Sequence, residues 1–418
     1  MMSSPSGQGA RSSRLASATL QGLAHVATVS FLASRAAPSL QFFFALGGGI
    51  SLARASYAGG ARAGHGASLA AILQTIAVMG PARVNAPLTQ AITAPMMGRL
   101  QARGASAVTE FLACLVLRLI HYAVVLAGFI WIILGGLDEY VDSFETLTSW
   151  AGIIPQGRTA AIAFMLAGQV VCAVFFSAVQ VASYRRALRD WPPSPAFAPP
   201  VAPELGRERG SERFDPRAIV AAAVVATVLL LASHSWLLLG GVTLWLVPAW
   251  LLSRPDRDAL PLGLALAGLL AFAALTGGLL SGADFELTLQ RVVRAVLLVA
   301  VATWMRAAAG PGGLREVFRR MLERVRFLPS VREAIVVLGG LDPGPKLIAA
   351  GRAAAARFAE VDLRPAPMCD TLVSWVAEES VAYAPAAAPP RTALRLRAVD
   401  GVLVMLTFAP ALALLGAH

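Results

Sequence analysis

Apolar residues fall in long unbroken runs at about 16–34, 38–52, 115–136, 159–182, 218–233, 235–252, 260–281, 288–305 and 399–416. A helix needs roughly 20 such residues to cross the hydrocarbon core of a bilayer, so the pattern predicts about nine transmembrane helices. The stretch 67–98 reads as one or two more, or as a cytoplasmic or interfacial helical region. Charge orients the set. The loop 137–157 carries Asp138, Glu139, Asp142 and Glu145 and no Lys or Arg, whereas Arg185, Arg186 and Arg189 follow the run 159–182. By the positive-inside rule the first is outside and the second cytoplasmic. Working outward from these two, the N-terminus, Arg54, Arg62, Arg83, Arg99 and Arg103 lie on the cytoplasmic side.

The pattern changes twice. Residues 185–213 hold Pro192, Pro193, Pro195, Pro199, Pro200 and Pro203 and then mixed charge, which reads as a Pro/Arg-rich cytoplasmic linker. It separates an N-terminal transmembrane domain, 1–184, from a C-terminal one, 214–418. After 305 the apolar positions recur at helical spacing: Leu314, Val317, Phe318, Met321, Leu322 and Val325 share one face, with Arg315, Arg319, Glu323 and Arg326 opposite. Three more helices are predicted, after Pro329, over 344–361 and over 367–383. From Arg306 to Arg364 there are eleven Lys or Arg against six Asp or Glu, which places the block 306–397 in the cytoplasm. The predicted fold class is therefore all-α, a polytopic integral membrane protein with amphipathic cytoplasmic helices.

Composition narrows the function classes. With 57% hydrophobic and 14% charged residues, the chain is far from the roughly 25% charge of soluble domains. The net charge of +11 comes from arginine, because Lys346 is the one lysine, and the arginines sit between apolar runs. No nucleic-acid partner is expected. Cys114, Cys172 and Cys369 are far apart, and the five histidines never pair at metal-ligand spacing, so neither a disulfide framework nor a metal or other cofactor is expected. Gln21 and His25 interrupt the first run, which lacks the compact apolar centre of a cleaved signal peptide. No phosphate-binding glycine loop is present, so any ATPase is a separate subunit. Asp138, Glu139 and Asp142 read as a solvated acidic loop rather than a magnesium-diphosphate motif. Arg118 and Arg291 are expected to snorkel to the interface, and Arg294, a turn deeper, is a candidate to pair with another helix.

The C-terminal half carries an ordered set of short motifs: Phe214-Asp215-Pro216-Arg217 at the first span, Ala232-Ser233-His234-Ser235-Trp236 at a hairpin, Arg291-Val292-Val293-Arg294, Phe327-Leu328-Pro329-Ser330-Val331-Arg332-Glu333, and Leu394-Arg395-Leu396-Arg397-Ala398-Val399-Asp400 before the last span. In that order they resemble the transmembrane T component of energy-coupling-factor (ECF) transporters. The resemblance implies a bacterial inner-membrane scaffold that is not itself an enzyme. It would join ABC-type ATPase subunits to a substrate-binding S component for a vitamin or metal ion, with 306–397 as the coupling block. Two arginine motifs end the coupling helices of that family. The first matches Ala350-Gly351-Arg352-Ala353 or Arg357. At the second, 381–387, no arginine is present. Ala102-Arg103-Gly104 in the N-terminal half is a candidate substitute, although about 0.6 such tripeptides are expected by chance. The ATPase-coupling candidates are thus Arg352, Arg357 and Arg103. The N-terminal half could be a second T-like unit, an S-like binder or an accessory domain. The alternative function is a membrane scaffold or secondary carrier without an ATPase partner.

Overall fold

The computed structural model describes residues 6–152, 157–191, 214–232, 235–253, 260–359, 365–383 and 396–416. Most of the linker 185–213, His234, most of 381–387 and Leu394-Arg395 lie outside these residues. Among the described residues every regular element is a helix: α1 Ser6–Ala36, α2 Gln41–Met79, α3 Asn85–Ala102, α4 Ala107–Gly128, α5 Leu137–Trp150, α6 Gly157–Arg189, α7 Pro216–Ala232, α8 Trp236–Ser253, α9 Leu260–Leu280, α10 Phe285–Arg324, α11 Pro329–Gly340, α12 Gly344–Ala359, α13 Pro365–Ala382 and α14 Ala398–Gly416. A π-helical turn, Phe129–Leu134, extends α4. Two long elements are bent where a glycine takes a left-handed φ: α2 at Gly60 and α10 at Gly310, just before Pro311.

Among the described residues five helices are long and apolar enough to cross a membrane: Ala107–Leu134, Gly157–Arg189, Trp236–Ser253, Gly263–Leu280 and Phe285–Arg324. Counting α11 and α12, bent by 85°, as one broken span would make six. The chain is a multi-pass helical membrane protein. Of the nine predicted spans, 218–233 and 399–416 form shorter apolar helices, Pro216–Ala232 and Ala398–Pro410, and those at 16–34 and 38–52 fall in α1 and α2, which are not among the five.

The chain divides into two compact units that interleave along the sequence. The first comprises Met1–Arg118, Phe175–Glu208 and Arg315–Thr392. Its centre is α1 and α2, packed on each other, on α3, and on α11, α12 and α13. Nearly every residue from Gln21 to Ser34 and from Phe44 to Ser56 is buried, on all sides of both helices. What they bury is not lipid-like: His25, Thr28, Ser30, Ser34, Ser51 and Ser56 lie among the alanines and leucines. Many of these polar groups are bonded internally, as where Ser30 Oγ donates to Phe44 O at 2.5 Å and Ser51 Oγ to Leu23 O at 2.5 Å. Phe43, Phe44, Phe358 and Trp375 form an edge-to-face aromatic cluster that ties α2 to α12 and α13. The outer faces of α12 and α13 carry Arg352, Arg357, Asp370 and Glu378, which lipid would not accept.

The second unit comprises Leu119–Val174, Arg209–Leu314 and Ala393–His418. Within it α7 packs on α14, α14 on α8, and α5 on α9. Large apolar side chains line its surface: Val124, Trp131, Phe164, Val171, Leu244, Leu251, Leu264, Phe272, Leu279 and Met405 are all more than half exposed. That is how a helix surface looks when lipid is the intended solvent. Along α10, 61% of the apolar window is buried, against 11% along α6, so α10 is a central helix and α6 a lipid-facing one. Trp304 of α10 is fully buried, packs edge-to-face on Trp245, and donates to Ala249 O and Ser253 Oγ at 3.2 Å.

Candidate functional site

The coupling candidates all occupy surface positions of the first unit. α12 buries Leu347, Gly351, Ala354, Ala355 and Phe358. Gly351 lets it approach α1 closely, since a Cβ there would lie 3.0 Å from Leu32 Cβ and 3.2 Å from the Ala33 amide. With Gly351 inward, the 100° step of a helix turns Arg352 outward, and it is exposed. Arg357 is exposed too, 3.5 Å from Glu378 of α13, a pair worth about 0–1 kcal/mol in such a setting. The tripeptide Ala102-Arg103-Gly104 stops α3. Gly104, at φ +72, donates to Gln101 O at 3.0 Å, and Ala105 N donates to Leu100 O at 3.0 Å, the bond pair of a Schellman stop. Gly104 thus has a local structural reason, and Arg103 beside it is exposed. The structure shows no contact between Arg103 and the two arginines of α12.

A second group of residues gathers at the break between α11 and α12, Gly340-Leu341-Asp342-Pro343. Pro343 and Pro345 cannot continue α11, and Arg315 caps the break by donating to Leu341 O at 3.1 Å. Tyr383 donates to Gly340 O, Gln21 to Val336 O at 3.3 Å, and Gln74 to the Asp342 carbonyl at 3.3 Å. The His25 ring stacks on Tyr383 at 4.1 Å, and its Nδ1 lies 3.8 Å from Asp342 Oδ2. That separation is too long for a hydrogen bond. Burial pushes the imidazole down to about 3 and the Asp342 carboxyl upward, against the pull of Lys346 and Arg315. His25 is therefore neutral at pH 7, a stacking partner rather than half of an ion pair. His25 Nδ1, Gln74 Oε1 and Asp342 Oδ1 are buried without hydrogen-bond partners. Such atoms are costly in a rigid core and are found where a structure moves or takes a ligand. Among the described residues no three His, Cys, Asp or Glu side chains converge as metal ligands. Sequence reading missed Gln74, Asp342 and Tyr383. The signal was available at Gln21 and His25, polar residues four apart in an apolar run.

In the second unit two of the family-like motifs meet. Asp215 N donates to Asp400 Oδ1 at 2.7 Å, and Arg397 N to Asp400 Oδ2 at 2.7 Å. Arg217 grips Asp215 with Nε and Nη2 at 3.0 Å. Asp400 is 1% exposed and Asp215 5%, so the start of α7 and the start of α14 are locked by charge-assisted bonds.

The arginines expected at the interface are buried instead. Arg291, 3% exposed, pairs with Glu139 at 2.6 Å, and Arg294 donates to Ile132 O in the π-turn. The acidic segment 137–157 is thus not a solvated loop at its start: it forms α5, whose Glu139 neutralises Arg291. The π-turn frees carbonyls that α4 would otherwise use, and Arg294 takes one of them. Arg118, in the first unit, donates to Gln180, which in turn donates to Thr93 Oγ1 at 2.8 Å. Compared with known proteins, this chain matches no family model, no curated protein and no solved structure.

Proposed function

We propose that the chain is the membrane scaffold of an ECF-type transporter in a bacterial inner membrane, coupling separate ABC-type ATPases to an S component that carries a vitamin or metal ion. The observation that carries this reading is the Asp215–Asp400 junction: residues 185 positions apart, drawn from two motifs that resemble the T component, meet at one buried joint. A shared order of weak motifs gains weight when the motif residues bond to each other. On this reading the chain catalyses nothing itself and binds no nucleic acid. Arg352 and Arg357 stand outward on a helix whose inner face is fixed, as a lever contacting an ATPase requires. The α11–α12 break, with its unsatisfied polar atoms, is the joint at which that lever turns.

Seven spans fit the reading: 115–136, 159–182, 218–233, 235–252, 260–281, 288–305 and 399–416. The runs 16–34 and 38–52 become core helices of a cytosolic unit, enclosed by helices with charged outer faces. Because they drop out as a pair, every later segment keeps the side that its arginines assign it. The rival reading, a scaffold without an ATPase, draws on one observation: α11–α13 already bury their apolar faces on α1 and α2, leaving a polar outer face for a partner.

Co-purification from the native host decides between them. An ATPase pair recovered with the intact chain, and lost or uncoupled in Arg352→Ala or Arg357→Ala, supports coupling. A groove-bound arginine is worth roughly 2–5 kcal/mol when truncated. Arg103→Ala tests whether the N-terminal half supplies the second contact. If no ATPase is recovered and all three variants behave as the parent, the coupling assignment fails.

A further inference from the structure

At the end of α6 the first unit holds a cleft of about 260 Å³ lined by Tyr57, Gln101, Arg185, Leu188 and Arg189. We propose that it binds the headgroup of an anionic phospholipid of the cytosolic leaflet, a hydroxyl-bearing phosphodiester such as phosphatidylglycerol.

Its charge is the first reason. Arg185 and Arg189 line it, and Arg54 lies 5.6 Å from the centre of the Tyr57 ring and 5.0 Å from that of Trp191. Against these three arginines stand Glu110, consumed by Arg185 at 2.7 Å, and Asp190, bonded to Arg189 Nε at 3.0 Å. Arg186 is taken by Asp370. The cleft is positive overall and is built on guanidinium groups, whose planar fork suits a phosphate.

Its chemistry is the second reason. Gln101 Nε2 donates to Arg185 O at 3.4 Å, and Gln101 Oε1 is buried without a partner. The hydroxyls of a glycerol headgroup, beside its phosphodiester, offer that oxygen a donor. The volume falls just below the roughly 300 Å³ at which drug-sized sites begin, which suits one headgroup.

Its position is the third. α6 carries the exposed apolar residues Phe164, Leu166, Val170, Val171, Val174 and Phe175, and the cleft arginines follow 10 to 14 positions after the last of them on the same helix. The span 159–182 ends three positions before Arg185 and seven before Arg189, which at 1.5 Å per residue sets them about 5–10 Å beyond the hydrocarbon edge, at the headgroup level.

The test uses the full chain in detergent, with bound lipid counted by native mass spectrometry and the thermal midpoint followed as lipid is added. Phosphatidylglycerol is expected to be retained and to raise the midpoint, while phosphatidylcholine and phosphatidylethanolamine do neither. Arg189→Gln should weaken phosphatidylglycerol binding roughly fivefold, the equivalent of about 1 kcal/mol for one basic group at a lipid surface, and Gln101→Leu should weaken it as well. Arg352→Gln, an exposed arginine elsewhere on the same unit, should leave it unchanged. The proposal is overturned if the neutral or zwitterionic lipids bind equally, if the cleft variants bind as the parent does, if Arg352→Gln weakens binding as much, or if millimolar inorganic phosphate displaces the lipid and reproduces the midpoint shift, which would make free phosphate the ligand.

Discussion

The two units solve opposite solvent problems with one vocabulary of helices. In the first, the least exposed helices are not purely apolar: α1 and α2 bury serines, threonines, glutamines and a histidine, and many of their polar atoms are bonded within the unit. In the second, the most apolar helices expose leucines and phenylalanines. A water-facing core must be sealed by polar or charged outer faces, which α12 and α13 provide. A lipid-facing bundle needs no seal, only internal anchors for its few polar groups, which Arg291–Glu139 and Asp215–Asp400 provide. Apolarity by itself does not distinguish a span from a core helix; what surrounds the helix does.

The largest effect that this contrast implies is a difference between two phenylalanines. Phe358 is fully buried in the aromatic cluster of the first unit, and Phe358→Ala should cost about 3–5 kcal/mol. Phe272 is 67% exposed on the second, and Phe272→Ala should cost less than about 1 kcal/mol in detergent, because its surroundings hardly change. Thermal unfolding of the purified chain reads both. Equal losses would erase the contrast.

Acid should strike the first unit next. The His25 imidazole stays neutral in the fold down to about pH 3, while in the unfolded chain it charges near 6.5. Between these values the unfolded state binds the extra proton, so stability falls as pH drops through that window, by roughly 2–4 kcal/mol. Asp342 works in the opposite sense, its raised pKa adding stability at low pH that is lost as pH rises, which keeps the net below the limit set by His25 alone. His25→Leu should flatten the slope of stability between pH 4 and 6.5; an unchanged slope would refute the assignment.

In the second unit, Glu139→Gln leaves Arg291 buried without its counter-charge and should cost about 2–3 kcal/mol, less than a fully buried pair because Glu139 is itself 26% exposed. The matching change in the first unit, Glu378→Gln beside the exposed Arg357, should cost at most about 1 kcal/mol. Comparing the two midpoint shifts tests whether charge pairs are anchors in one unit and ornaments in the other.

Much of this was legible in the chain. The helical class, the presence of helices after 313 and the five strongest candidate spans follow from periodicity and run length. What was not legible is enclosure. The runs 16–34 and 38–52 have nearly the length and apolarity of spans, and only the polar residues Gln21, His25, Ser30 and Ser51 hint that protein, not lipid, surrounds them. Arg118 and Arg291 sit near span ends, where snorkelling is the ordinary outcome, and their partners Gln180 and Glu139 are 62 and 152 residues away, beyond any local pattern. The arginines proposed for coupling were visible as residues, but their outward setting depends on Gly351 and Gly104, whose packing and backbone roles only the folded chain reveals.

The central claim is that α1 and the start of α2 form a pair of cytosolic core helices rather than the first two spans. It is tested most directly at the turn between them, where Ala36 is exposed. In a chain with Cys114, Cys172 and Cys369 replaced, Ala36→Cys should resist a membrane-impermeant maleimide on intact cells and react once the membrane is opened, while Ser149→Cys, in the acidic outer segment, reacts in both. Labelling of Ala36→Cys on intact cells, at the rate of Ser149→Cys, would put that turn outside, restore the nine-span topology and contradict the division of the chain into one water-facing and one lipid-facing unit.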